Sequence, residues 1–135
     1  MTKVHESAVV GIVDDDESVR KSLKRIVISH HFTVEAFASA EEVLQSDHLP
    51  KLDCLILDVV LPGMSGLGLQ DHLAAANRRI PIIFITAQDD EGVRGRALQA
   101  GARGFLLKPF SKADLFEILD QALKSRTAGK GELST

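Results

Sequence analysis

The amino-acid sequence predicts an α/β protein: a five-stranded parallel sheet with helices on both faces. Four short apolar runs, Ala8–Val13, Cys54–Leu57, Ile82–Ile85 and the weaker Phe105–Leu107, are continuous rather than alternating. That is the pattern of strands covered on both sides. Between them, apolar residues recur at helical spacing, so the chain reads strand then helix, five times over. Such alternation gives parallel strands joined by crossover helices, and the right-handedness of crossovers restricts the topology further. At 135 residues, 44% hydrophobic and 26% charged, the chain has the size and composition of one domain that buries a core unaided.

The first strand, Ala8–Val13, has Gly11 inside it, and Val19, Leu23, Ile26 and Val27 form the stripe of the first helix. The second strand, "FTVEAF" at 32–37, alternates apolar and polar, which places it near a sheet edge with one face more exposed. A short helix follows at Ala40–Gln45, with Ser39 as its N-cap and Glu42 three residues on. After the third strand, "PGMSG" at 62–66 is the loop into a helix marked by Leu69, Leu73 and Ala76. The fourth helix carries Val93, Ala97 and Ala100 and is ended by Gly101, so "GARG" at 101–104 is a helix stop and turn. Ser111 caps the last helix, whose stripe of Leu115, Ile118, Leu119 and Ala122 is the clearest of all. From about Lys124 the chain turns polar, "KSRTAGKGELST", and fraying is expected there. The domain is therefore placed at 7–125, with a polar tail at 126–135.

Charge and composition exclude several classes. The net charge is −3 and the pI about 5.9, so no broad electrostatic footprint for nucleic acid exists and direct binding to it is not expected. The lone cysteine, Cys54, cannot form an internal disulfide and reads as a small buried hydrophobe. No apolar stretch approaches the roughly 18–20 residues of a membrane span. The N-terminus "MTKVHESAVV" lacks the apolar core of a signal peptide, so a cytoplasmic location without membrane contact is expected. His5, His30, His31, His48 and His72 show no metal-ligand spacing and are read as solvated surface.

The polar residues that interrupt the apolar runs are more informative. Asp14 and Asp15 follow the first strand, Asp58 the third, Thr86 the fourth and Lys108 the fifth. All five fall at carboxyl ends of parallel strands, the edge where open α/β sheets bind ligands. Clustered carboxylates repel, by about 3 kcal/mol for two charges ~5 Å apart at an effective dielectric near 20. A divalent cation offsets that, and hard carboxylate oxygens suit Mg²⁺, which binds through one or two carboxylates plus a phosphate. A fixed ammonium, a hydroxyl and a carboxylate able to act as nucleophile complete a set of groups fit to handle a phosphoryl group. Asp16 lies where the first helix begins, and N-capping is its better reading.

The stretches "VDDDESVRKSL", "LDVVLPGMSGLGL", "PIIFITA" and "AGARGFLLKPF", in this order and spacing, resemble the receiver domain of bacterial two-component response regulators. The resemblance covers roughly residues 7 to 125 and implies the flavodoxin-like, CheY-like doubly wound sheet, strand order 2-1-3-4-5, with five helices. It implies that Asp58 is the phosphoacceptor, that Asp14, Asp15, Asp58 and the Val60 carbonyl hold Mg²⁺, and that Lys108 pairs with the phosphoryl oxygens. It further implies Thr86 as switch hydroxyl, Phe105 at the aromatic switch position, Val60 and Gln88 as residues that tune dephosphorylation, and a cis Lys108–Pro109 bond. The implied donor is a sensor histidine kinase or a histidine phosphotransfer protein. The implied output is a downstream protein partner or a homodimer through the surface of the fourth helix, fifth strand and fifth helix.

Two departures stand out: Phe105 lacks the hydroxyl of the tyrosine frequent at its position, and Val60 offers no polar side chain to position a water. The "VRKSL" and "GMSGLGLQ" stretches are most similar to receivers attached to helix-turn-helix transcription factors of the FixJ/NarL type. About ten residues follow the fifth helix, too few for an output domain, so a stand-alone receiver or a piece of a longer chain is expected. Two rivals remain at this point: a binding module that keeps the fold without phosphorylation, and an aspartate-nucleophile phosphatase. The intact set of five site residues argues against the first. The position of the candidate nucleophile after the third strand, in "LDVV", rather than after the first, argues against the second.

Overall fold

The computed structural model describes the backbone of residues 8–134 and the side chains of residues 8–124. Five strands, β1 (Val9–Val13), β2 (Thr33–Phe37), β3 (Cys54–Asp58), β4 (Ile82–Thr86) and β5 (Gly104–Leu107), alternate with five helices. These are α1 (Glu17–Ser29), α2 (Ala40–Gln45), α3 (Gly66–Ala75), α4 (Glu91–Gln99) and α5 (Lys112–Ser134). A 3₁₀ turn at Leu49–Lys51, which periodicity does not reveal, leads into β3. The strands pair in parallel in the order β2-β1-β3-β4-β5, as the resemblance implied.

Successive side chains of a strand point to opposite faces, so each central strand feeds two cores. Leu55 and Leu57 of β3 join Val13, Phe84, Leu69 and Leu73 under α2, α3 and α4. Cys54 and Ile56, one residue out of step, join Ile12, Ile83, Leu23 and Leu119 under α1 and α5. Every residue of β3 and β4 is buried, which is why these runs are continuously apolar. The edge strands differ. β2 is mostly open, as its alternation predicts, whereas β5 is only half-buried along its whole length. The apolar run of β5 predicts cover on both faces; an edge position, which composition does not encode, exposes it.

Helix boundaries follow their caps. Asp16 accepts from the Ser18 and Val19 amides, Ser39 from Glu42 N, and Ser111 from Asp114 N, as the sequence predicts. Ser65 and Asp90 cap α3 and α4 in the same way. Gly101 stops α4 in a left-handed conformation, φ 105°. Ala76 and Ala100 are exposed at helix C-caps rather than on buried stripes, so α4 buries only Ala97 fully. The polar tail, where fraying is expected, falls on residues beyond those whose side chains are described.

Cys54 is buried, as its apolar run predicts. His30 departs from the surface reading: its ring is partly buried, stacks on Phe116 with centroids 3.9 Å apart, and has Nε2 3.4 Å from Asp120 Oδ2. The α1–β2 turn lies across α5, a tertiary contact that sequence spacing does not show. His5 lies outside the described residues. His31, His48 and His72 are exposed, although His48 Nδ1 comes within 3.8 Å of Glu35. No helix among the described residues is long and apolar enough to cross a membrane.

Candidate functional site

The chain runs from β1 to β2 on one side and from β3 to β5 on the other, so strand order reverses between β1 and β3. The crevice at their carboxyl ends is the switch point where such sheets bind ligands. Asp14 leaves β1 there, held by its own amide donating to Phe37 O at 3.2 Å. Asp58 is the last residue of β3. Asp14, Asp15 and Asp58 each bring a carboxylate oxygen to within 4.8 Å of the others. Asp14 and Asp58 are buried and Asp15 is exposed.

Lys108 follows β5 and reaches across the sheet edge. Its Nζ donates to Asp14 Oδ2 at 3.0 Å and to Asp58 Oδ2 at 3.1 Å. The Lys108 amide donates to Thr86 O at 2.8 Å, and the Lys108–Pro109 bond is cis. Burial opposes the ammonium charge, but the hydrogen bonds it donates to the two carboxylates win and hold Lys108 above the usual lysine range. Burial pushes the Asp58 carboxyl up, outweighing the Val60 amide and Lys108, which both favour its ionised form.

The other oxygens of the two buried carboxylates, and the Thr86 hydroxyl, have local partners. Asp58 Oδ1 accepts from the Val60 amide at 3.0 Å, and Asp14 Oδ1 from the Asp16 amide at 2.9 Å. Thr86, buried at the end of β4, accepts on Oγ1 from the Gln88 amide at 3.2 Å. The Val60 side chain is 60% exposed at the mouth of the crevice, and Gln88 is also exposed. Phe105 stands apart: it is half-buried in β5, 6.3 Å from the Phe84 ring, with the Arg94 guanidinium 5.3 Å from its centroid.

Three supporting residues are not evident in the sequence. Arg20 Nη1 donates to the Asp14 carbonyl at 2.8 Å and ties α1 to the acidic loop. Glu41 Oε2 accepts from the Met64 amide at 2.9 Å and braces the β3–α3 loop, which turns at Gly63 with φ 74°. That bond lowers the Glu41 pKa. Gly66 packs its bare Cα against the backbone of Asp58 and Val59. Only the positive-φ glycine of "PGMSG" carries a local signal; the Arg20–Asp14 and Glu41–Met64 bonds carry none.

The fold and this acid–lysine–threonine edge define a phosphoryl-handling signalling domain of the CheY-like architecture. Residues 10–120 match the response regulator receiver domain family, and the chain belongs to that family. It is 46% identical over 116 residues to nodulation protein W of Bradyrhizobium diazoefficiens, covering 86% of this chain and 51% of that protein. It is 40% identical over 118 residues to the response regulator TodT of Pseudomonas putida, covering 87% and 52%. The chain thus spans about half the length of these curated relatives. Among solved structures, the response regulator StyR superposes with a TM-score of 0.83 at 40% identity, covering 94% of this chain and 66% of that one. FixJ-N does so with a TM-score of 0.79 at 34% identity, covering 92% and 96%.

Proposed function

We propose that Asp58 accepts a phosphoryl group from a phosphohistidine, presented by a sensor histidine kinase or a histidine phosphotransfer protein. The observation that carries the reading is Lys108 Nζ, 3.0 and 3.1 Å from two buried carboxylates at one strand edge. An Asp58 oxygen attacks phosphorus in line, the P–N bond breaks, and its electron pair returns to the imidazole, leaving an acyl phosphate. Lys108 stabilises the charge on the phosphoryl oxygens, and the Val60 amide orients the Asp58 carboxylate.

The donor set of Asp14, Asp15 and Asp58, all hard oxygens within 4.8 Å of one another, fits Mg²⁺. Those carboxylates and the Val60 carbonyl are the residues to hold it. When bound, it neutralises charge on the carboxylates and on the incoming phosphoryl oxygens.

After transfer, the Thr86 hydroxyl, whose oxygen accepts from the Gln88 amide, turns to donate its proton to a phosphoryl oxygen, and Phe105 moves with it. The surface of α4, β5 and α5 is thereby biased toward a downstream partner or a second copy. α4 suits such movement, because Ala97 is its one fully buried residue. Val60 and Gln88 flank the site and tune loss of the phosphoryl group, Gln88 by offering an amide to a water. The receiver unit is residues 7–125, in a cytoplasmic signalling chain.

The test is intact mass after acetyl phosphate, with and without Mg²⁺, for the native chain and Asp58→Asn. One phosphoryl adduct that requires both Mg²⁺ and Asp58 is expected. Equal labelling of Asp58→Asn at another aspartate would sink the assignment. Beryllium fluoride binding distinguishes a short-lived phosphoprotein from an inert site.

A further inference from the structure

Arg94, in the middle of α4, has a placement that hydrogen bonding does not explain. Its guanidinium carbon lies over the Phe105 ring, 5.3 Å from the centroid, and its Nη2 is 3.7 Å from Asp89 Oδ1. Its Nε is buried and has no hydrogen-bond partner among the described residues. A buried N–H without an acceptor opposes this placement. An ion pair at 3.7 Å between side chains 43% and 65% exposed contributes little. The attraction that remains is that of the cation for the face of Phe105.

The helix that carries Arg94 is lightly held. Gly92 and Gly95 flank the arginine within nine residues, and glycine weakens a helix interior. An added Cβ at Gly95 meets nothing within 4 Å, so packing does not call for glycine there. Contacts also run from Arg94 back toward the acidic edge. The Gln88 amide donates to Thr86 Oγ1 at 3.2 Å, Asp89 is the next residue, and Asp89 faces Arg94. Thr86, the β4–α4 loop, Arg94 and Phe105 therefore form one continuous line. We infer that Arg94 is a positioning residue: it latches the Phe105 ring in the arrangement in which Thr86 bonds to Gln88, and it releases the ring when that loop moves. The inference rests on the switch roles proposed above for Thr86 and Phe105. Arg94 takes no part in the chemistry at Asp58; it sets how readily the domain switches. A contact made in only one of two arrangements biases the equilibrium by its own strength, and a ligand that selects the other binds more weakly by that factor.

The test compares the full chain with Arg94→Ala, Arg94→Lys and Arg96→Ala. Arg96 is the control, an arginine of the same helix whose Nη2 pairs with Asp71 of α3 at 3.0 Å. Beryllium fluoride is titrated in the presence of Mg²⁺, and the ring signals of ¹³C-labelled phenylalanine, assigned through Phe105→Leu, report on Phe105. Arg94→Ala is expected to bind beryllium fluoride about fivefold more tightly. Its Phe105 signals, without beryllium fluoride, are expected to lie part-way toward those of the native chain saturated with it. Loss of a merely structural contact would lower stability without moving the ring signals along that line. Arg94→Lys keeps a cation for the ring and is expected to fall between the native chain and the alanine variant, and Arg96→Ala to match the native chain. Any of three results overturns the latch alone: native or weaker affinity in Arg94→Ala, Phe105 signals that do not move in that variant, or an equal gain in Arg96→Ala. A native chain that binds no beryllium fluoride with Mg²⁺ overturns the phosphoacceptor reading at Asp58, and the latch falls with it.

Discussion

Replacing Lys108 by alanine is expected to destabilise the metal-free protein by about 2–3 kcal/mol, and added Mg²⁺ is expected to recover most of that loss. Breaking a buried ion pair by removing one partner costs about 3–5 kcal/mol, because the other charge is left uncompensated. Here the estimate is reduced, since the lysine side chain is one-quarter exposed. Two carboxylates, not one, lose their partner: Asp14 at 3.0 Å and Asp58 at 3.1 Å. A divalent cation among Asp14, Asp15 and Asp58 would restore the positive charge that the ammonium supplies to these carboxylates. On the proposed chemistry, phosphorylation by acetyl phosphate should also slow by about 10²–10³-fold, the usual cost of removing one donor to developing anionic oxygen. Thermal melts with and without Mg²⁺, beside the labelling rate, test both parts. A variant as stable as the native chain without metal would show that the lysine offsets no repulsion.

The deficit should depend on pH in a definite direction. Lys108 has a raised folded pKa, so its contribution is fully present at neutral pH and disappears only as pH rises through that value. Asp58 also has a raised folded pKa, which for a carboxyl has the opposite consequence: the folded state disfavours its charge above the unfolded pKa, and the penalty fades as pH falls. Removing Lys108 takes away two influences that favour the ionised form of Asp58. The difference in melting temperature between variant and native chain should therefore be largest near neutrality and shrink toward the carboxylate range.

The strand ends were legible in the sequence because the physics there is local. A residue such as Asp58 after "CLIL" interrupts a run that must be buried, and its place at the sheet edge follows from strand length alone. The same reasoning brought Asp14, Thr86 and Lys108 to one edge, and the structure gathers them there. Contacts set by tertiary approach were not legible. Glu41 and Met64 are 23 residues apart, and an exposed glutamate at a helix start has a complete local explanation in the helix dipole. Arg20 resembles any basic residue on a solvated helix face until its guanidinium is found on the Asp14 carbonyl. His30 looked like a turn residue because nothing in its neighbourhood announces Phe116. The half-burial of β5 escaped for a related reason: an apolar run at a sheet edge and one at its centre can have the same composition.

Gly66 is the sharpest case, and it gives the second large effect. In sequence it is the last letter of a loop rich in turn residues, and its φ is unremarkable, so conformational freedom does not explain it. Space does. A Cβ at this position would lie 2.3 Å from Asp58 O, 3.0 Å from Val59 Cα and 3.1 Å from Asp58 C. All three are backbone atoms of the buried end of β3 and its continuation, and they cannot rotate aside as a side chain can. The first turn of α3 must therefore back away, and with it the Gly66 amide that donates to Val59 O at 3.0 Å. Gly66→Ala is expected to cost about 3 kcal/mol, at the upper end of overpacking in a close-packed interior. It should also weaken beryllium fluoride binding, because the displaced loop carries the Val60 amide that orients Asp58. Gly95→Ala is the control: it lies inside α4 with nothing within 4 Å of the added Cβ. That change should stabilise by about 0.5–1 kcal/mol through helix propensity alone. Opposite signs for two glycine-to-alanine changes, read from chemical denaturation, would separate steric approach at the site from ordinary backbone entropy. A mild effect at Gly66 would mean that β3 and α3 can part without disturbing Asp58, and that the tight approach does not set the geometry of the acidic edge.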